Sequence, residues 1–361
     1  MLKWLRAVAR FFQDKVGWNR IGVVLSLTII GIAVVVLYHM LRDIHAHEVL
    51  HALKATRPHQ IALAAVFVTG AYFTLTFYDW FALRTIGRSE VPYRIAALSG
   101  FTSYAVGHNI GATVFTGGAV RYRIYSLYGL DAVEVAKICF VAGLTFWLGN
   151  ATVLGLSVTV EPHAAAPITR LPGLINRGIA LVILTVLISY IAWVWSAPRK
   201  LGKGGWTVRL PNGPSTLVQI VIGLFDLGFC TMAMWMLLPN EPNIGFVTLL
   251  VVFVSATLLG FASHAPGGLG VFDAAMLVAL WQFNKEDLVA GLLLFRLLYY
   301  LCPFVVALVI LGIREFWLST RRASALPERP HARIVSITQP IRTQFEAKDE
   351  ATAETEKTNA D

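Results

Sequence analysis

Charge is scarce in this 361-residue chain: only 14% of its residues are Asp, Glu, Lys or Arg, while 56% are hydrophobic. A water-soluble domain cannot cover its surface with so little charge, and a mean hydropathy of +0.64 belongs to a chain solvated by lipid. Cysteine is rarer still, with three residues. Cys139, Cys230 and Cys302 all fall in apolar segments without CxxC spacing, which excludes a disulfide framework and a thiolate metal site. No Walker loop, dinucleotide fingerprint or Ser-His-Asp signature is present. No cofactor or nucleotide is therefore implied, and any energy source must be an ion gradient, lipid mass action or a partner protein. The net charge of +9 does not argue for nucleic acid, because the basic residues sit in short loops and at the termini, where membrane topology accounts for them.

Long apolar runs are what the chain does have. Segments 21–41, 60–84, 133–158, 177–196, 214–238 and 287–313 each approach the roughly 20 residues that cross a bilayer. Before them, 1–20 reads as a basic amphipathic helix on the cytoplasmic face; 21–41 is too long for a signal-peptide core and is expected to be retained. Lys and Arg orient the rest. The N-terminus, the 84–94 loop, the 197–212 loop and the C-terminus are basic and therefore cytoplasmic, whereas 159–176 and "PNEPN" (239–243) are poor in positive charge and therefore outside. From 317 to 361 the composition becomes that of a disordered cytoplasmic tail.

Regions 93–130 and 244–285 are apolar but broken by glycines and polar residues. The first must start and return inside, the second must start and return outside, so both read as re-entrant hairpins entering from opposite faces. Irregular backbone at that depth must be buried in protein or line a cavity. The flanks repeat as well. "FYDWFAL" (77–83) precedes one hairpin and "LFDLGF" (224–229) the other, while "GLDAVEVAK" (129–137) and "NKEDLVAGL" (284–292) open the following spans. The expected fold is an all-α polytopic membrane protein of about six spanning helices plus two oppositely oriented re-entrant hairpins. They form an inverted repeat with halves at about 60–158 and 214–313 inside a 21–316 domain. Such symmetry points to a transport pathway at the repeat interface.

The hairpins carry the candidate site. Gly117-Gly118 reads as the tip of the first, with Arg121 close behind near a helix start, and with Tyr122, Arg123 and Tyr125 following. Pro266, Gly267, Gly268 and Gly270 form the second tip, followed by Asp273. An arginine fork suits phosphate oxygens and a helix start suits an anion, although both arginines could equally be membrane anchors. Arg296, about ten residues into the last span, is too deep to snorkel and needs a partner; Asp273 is the natural one, as a gate or a static pair. Pro303, after Tyr299 and Tyr300, is expected to kink that span. Asp79 and Asp226 occupy matching positions and read as either ion-coupling groups or acceptors for the broken hairpins. His108, Asn109 and His264 lie at the breaks as backbone-bonding residues. "HEVLH" (47–51), with His45 and His59 nearby, matches a zinc-protease pattern, but it has no Gly-rich context or third acidic ligand. No metal is assigned.

"GHNIGATVFTGGAVRYRIYSLYGL" (107–130), "PGGLGVFDAA" (266–275) and "LLLFRLLYYLCP" (292–303) resemble the lysylphosphatidylglycerol synthase transmembrane-region family, the flippase-like membrane domain of the bacterial multiple peptide resistance factor. The resemblance covers roughly residues 20–316. Asp273 stands where the family more often has Glu, a departure that keeps the charge. The resemblance implies a lipid transporter of the bacterial inner membrane, multi-pass with both termini cytoplasmic, acting on an anionic or phosphate-bearing phospholipid or other lipid. Aminoacyl transfer is not expected, because only a short tail follows the membrane part. A membrane lipid-modifying enzyme, using Asp273 or His264 as acid or base, and a partner subunit of a separate lipid synthase are the alternatives. A second copy of the chain is likewise left open as a partner.

Overall fold

The computed structural model describes residues 56–203 and 206–324, together with Gly31 and Val35. The expected N-terminal helix, most of the first span, the "HEVLH" loop and most of the C-terminal tail lie outside the described residues. The described residues through Glu315 belong to one compact unit, and a second begins at Phe316, described only at the end of one helix.

Among the described residues, five helices are long and apolar enough to cross a membrane. They are α1 (Pro58–Thr85), α4 (Ala132–Val160), α5 (Gly173–Ser196), α6 (Gly213–Leu237) and a composite last helix. The last is built from α9 (Lys285–Phe295), a wide π-helical stretch (Arg296–Leu301) and α10 (Cys302–Ser324). Each falls on one of the expected apolar runs. The two interrupted regions each form two shorter helices that turn back on each other. These are α2 (Tyr93–Ile110) with α3 (Thr113–Tyr125), and α7 (Phe246–Ala262) with α8 (Val271–Ala279). The basic 197–212 connection contains the only described strands, β1 (Lys200–Lys203) and β2 (Trp206–Arg209), paired antiparallel.

Local chemistry sets the helix ends. Pro58 opens α1 at a position whose N–H would have no helical partner anyway. Asp131 caps α4 by accepting from Glu134 N–H at 2.7 Å, and Glu134 returns a bond from the Asp131 N–H. Asn284 caps α9 in the same way, accepting from Glu286 N–H. Arg88 grips both Glu134 oxygens at 2.7 and 2.9 Å, tying the α1–α2 loop to the start of α4.

Helices α1 and α6 form the axis of the core. Ala64, Ala71, Leu75 and Ala82 of α1 are buried with Ala233 and Met234 of α6. Helices α4 and α6 cross at Gly149 and Gly223, so closely that a Cβ on Gly149 would lie 2.8 Å from the Gly223 Cα. Small residues permit such backbone contact, which is how helices associate where lipid removes the hydrophobic drive. Helix α5 is peripheral: Leu174, Val182, Val186 and Ile188 are exposed along it, an apolar surface that suits acyl chains rather than water.

Candidate functional site

The first hairpin turns at Gly111 and Ala112, not at Gly117-Gly118. Gly111 (φ 82°) and Ala112 (φ 45°) are consecutive positive-φ residues, the second left-handed, which end α2 and reverse the chain. Gly117-Gly118 lies inside α3, where the missing side chain serves packing: a Cβ on Gly117 would sit 3.0 Å from the Ser103 carbonyl of α2. Arg121 consequently lies well inside α3 and not at its start, so no free helix N-terminus assists it.

The second hairpin turns where the sequence places it, through a single 3-10 turn at Pro266–Gly268 with Gly267, Gly268 and Gly270 all at positive φ. The two tips touch. A Cβ on Gly111 would come within 3.0 Å of the His264 carbonyl and 3.3 Å of the Pro266 nitrogen. Replacing Gly111 by alanine should therefore force the tips apart and add the strain of a backbone region nearly reserved for glycine, about 1–3 kcal/mol. A lowered melting temperature of the purified protein in detergent is the expected readout, with Gly312→Ala, at an open position, unchanged.

Each hairpin is fastened by an ion pair. Arg121 is 3% exposed and Asp79 is fully buried. Arg121 Nε reaches the two Asp79 oxygens at 3.0 and 3.1 Å and its Nη2 reaches Oδ1 at 2.7 Å, while the Tyr125 hydroxyl donates to Oδ2 at 2.8 Å. The guanidinium also lies 4.8 Å from the centre of the Tyr104 ring. In the second half, Arg296 Nε donates to Asp273 Oδ1 at 2.9 Å and its Nη2 bonds Oδ2. Asp273 Oδ2 also accepts from the Gly270 N–H at 3.1 Å, capping its own helix. Nη1 of Arg296 reaches back to the Gly267 carbonyl at 3.4 Å. Arg123 pairs with Glu315 at 2.6 Å, and Tyr122 is half-buried beside it on α3.

Pro303 explains the wide stretch before it. A proline lacks the N–H that would bond the carbonyl four residues earlier, that of Tyr299. The helix widens here into a π-helical stretch, and outside groups bond its carbonyls: the Tyr72 hydroxyl donates to Tyr299 O at 3.0 Å and Asn109 Nδ2 to Tyr300 O at 3.1 Å. Asn109 thus ties the first hairpin to the last span. Such π-bulges recur at functional sites. His108 stacks on the Tyr299 ring.

Asp226 sits differently from Asp79. Its partners are the Tyr78 hydroxyl, donating to Oδ2 at 3.0 Å, and the Cys230 thiol 4.0 Å from Oδ1. It faces a cavity of about 110 Å³ between the hairpin tips, whose walls include Gly111–Thr113 from one tip, His264–Ala265 and Gly267–Gly268 from the other, and Tyr78, Tyr104, His108, Tyr299 and Tyr300. That volume holds several waters or a small polar group; it is far too small for a whole diacyl lipid. Tyr78, Tyr104 and Cys230 carried no signal in the sequence beyond apolar helical spacing, and only the fold assembles them.

These features define a multi-pass helical membrane protein with two broken hairpins closing on a small, polar-lipped cavity. Comparison with known proteins agrees. The chain is 30% identical over 246 residues to the uncharacterized protein slr0712 of Synechocystis, covering 68% of this chain and 76% of that one. It is 28% identical over 250 residues to inner membrane protein YbhN of Escherichia coli, covering 67% and 76%. It is also 26% identical over 301 residues to the phosphatidylglycerol lysyltransferase of Staphylococcus haemolyticus, covering 81% of this chain but 34% of that enzyme. No protein-family profile matches. The chain belongs to the lysylphosphatidylglycerol synthase transmembrane-region family. With the lysyltransferases it shares the membrane region.

Proposed function

We propose that this chain moves an anionic or phosphate-bearing lipid between the leaflets of the bacterial inner membrane, with its termini on the cytoplasmic side. The observation that carries this reading is the cavity where the two hairpin tips meet, small enough for a headgroup and walled by tyrosines, histidines and Asp226. The tips belong to the two halves of a repeat, 60–158 and 214–313, whose hairpins are re-entrant and enter from opposite faces. The similar caps at Asp131 and Asn284 support that symmetry. The 21–316 region is then the working domain, with 1–20 on the membrane surface and 317–361 as a solvated tail. The relatives named for phosphatidylglycerol chemistry support a phospholipid as the substrate class.

In this reading the headgroup enters the cavity while its acyl chains stay in the bilayer, beside the apolar groove between α3 and α4 that Phe115, Tyr122 and Trp147 line. Arg296 lies just behind Gly267, and its fork can exchange the Asp273 carboxylate for phosphate oxygens. The experiment is lipid movement in proteoliposomes, followed by quenching of a headgroup-labelled phospholipid. The purified protein is expected to accelerate the anionic lipid at least about tenfold over protein-free vesicles, a difference of about 1.4 kcal/mol in barrier, and to favour it over a zwitterionic one. Equal rates with and without protein would sink the proposal, and a new lipid product on chromatography would redirect it to an enzyme.

A further inference from the structure

We propose that Asp226 is a proton-binding site of the cavity, carrying its proton on Oδ1, and that lipid movement is coupled to its uptake and release. The coupling rests on the lipid-transport reading; the proton site itself does not.

The three deep acids of this unit are held in two ways. Asp79 has Arg121 and Asp273 has Arg296, each through at least two bonds. Asp226 is 6% exposed and no lysine or arginine lines its cavity. Around it stand Tyr78 and Tyr72 from α1, Tyr104 and His108 from α2, Tyr299 and Tyr300 from the π-helical stretch, and Cys230 on its own helix; His264 of the second tip faces the same space. None of the phenols or the thiol brings positive charge at neutral pH.

A carboxylate at this depth without a counter-ion is costly, and binding a proton removes the cost. Tyr78 donates to Oδ2, and Oδ1 faces only the Cys230 thiol at 4.0 Å, a weak donor whose sulfur can also accept, so Oδ1 is the oxygen that can hold a proton while Oδ2 accepts. The cavity has room for several waters, which supply a path for the proton. A headgroup phosphate drawn into the cavity repels a carboxylate and tolerates a neutral acid. Protonation therefore favours the loaded state, and opening to water at either face releases the proton and the lipid together.

The test uses dicyclohexylcarbodiimide, an apolar reagent that takes the proton of a neutral carboxyl onto its nitrogen while a carboxyl oxygen adds to its central carbon, with no leaving group. The detergent-purified full chain is labelled from mildly acid to neutral pH and the adducts are mapped by mass spectrometry. The expected adduct is on Asp226, weaker at higher pH, and absent from the arginine-paired Asp79 and Asp273. Tyr78→Phe, which removes the stronger of the two donors that favour the charged form, should carry labelling to higher pH. Absence of the Asp226 adduct throughout, or its suppression by sodium at constant pH, would overturn the proton site. In proteoliposomes, a pH gradient should change the rate of lipid movement by wild type and leave Asp226→Asn unaffected. Lipid movement indifferent to the gradient in wild type would overturn the coupling. No lipid movement alongside a clear Asp226 adduct would remove the transport reading and keep the proton site.

Discussion

Replacing Arg121 by alanine is expected to cost about 3–5 kcal/mol of stability, because it leaves one partner of a buried ion pair uncompensated. Asp79 is fully buried and would keep only the Tyr125 hydroxyl. Tyr104 would lose the cation over its ring, and α3 would lose its principal tie to α1. The variant should melt earlier in detergent and lose lipid movement as well, a result that alone cannot separate fold from function. The neutral pair Asp79→Asn with Arg121→Gln separates them. It removes both charges and keeps hydrogen-bonding groups of similar size, and replacing a whole buried pair is often nearly neutral for stability. The double variant should recover most of the melting temperature. If Arg121 also serves the headgroup, the double variant folds but moves lipid at least tenfold more slowly, about 1.4 kcal/mol in barrier. Wild-type movement by the folded double variant would make the pair a fastening alone.

How the sequence reveals this molecule follows from which physical constraints are local. The spans were legible because a membrane demands an unbroken apolar run of fixed length, and α1, α4, α5, α6 and the last helix each satisfy it. The two hairpins were legible as interruptions of such runs. The position of the first turn was not. Glycine serves both a positive φ and a close helix contact, and nothing in the string distinguishes the two. Gly117-Gly118 looked like the turn and is a packing contact; Gly111 does the turning, next to an alanine that the sequence gives no reason to expect in a left-handed conformation.

Charges at depth were the strongest signal for the site. Arg296 and Asp273 can be matched because they are opposite charges in adjoining elements, and Arg296 lies too deep in its span to reach water. The same rule applies to Arg121 and Asp79, whose charges on their own point as readily to a ligand and to coupling or backbone support. Their distance in sequence and the misplaced tip hid the pairing. Asp226 shows the limit of repeat symmetry: it matches Asp79 along the chain, but Val271 follows the second glycine pair where Arg121 follows the first. The tyrosines of the cavity were illegible because aromatic residues on buried helix faces look alike whether they fill a core or line a site.

Arg296→Ala is the substitution expected to separate most clearly from Arg121→Ala. Asp273 has a quarter of its side chain exposed and keeps the Gly270 N–H as a donor, so its charge remains partly satisfied when the arginine is gone. The stability loss should be about 1–3 kcal/mol, the scale of charged hydrogen bonds removed from a half-wet site. Lipid movement should nevertheless fall at least tenfold, because the residue that fastens the second tip and the residue proposed to receive the phosphate are the same. Arg296→Lys sharpens the test. Lysine keeps the charge at that depth but offers a point donor where the guanidinium offers a planar fork, so it can hold Asp273 or a phosphate oxygen but cannot span two. A stability loss smaller than that of Arg296→Ala, with an equally large loss of movement, is the expected outcome for the lysine variant. Equal movement in wild type and in Arg296→Lys would mean that charge alone suffices, and equal movement in Arg296→Ala would remove Arg296 from the pathway. Asp273→Glu supplies the complementary control: it keeps the carboxylate one methylene further out, and movement should survive it, because a gate needs a carboxylate that competes with phosphate for the fork rather than one fixed side-chain length.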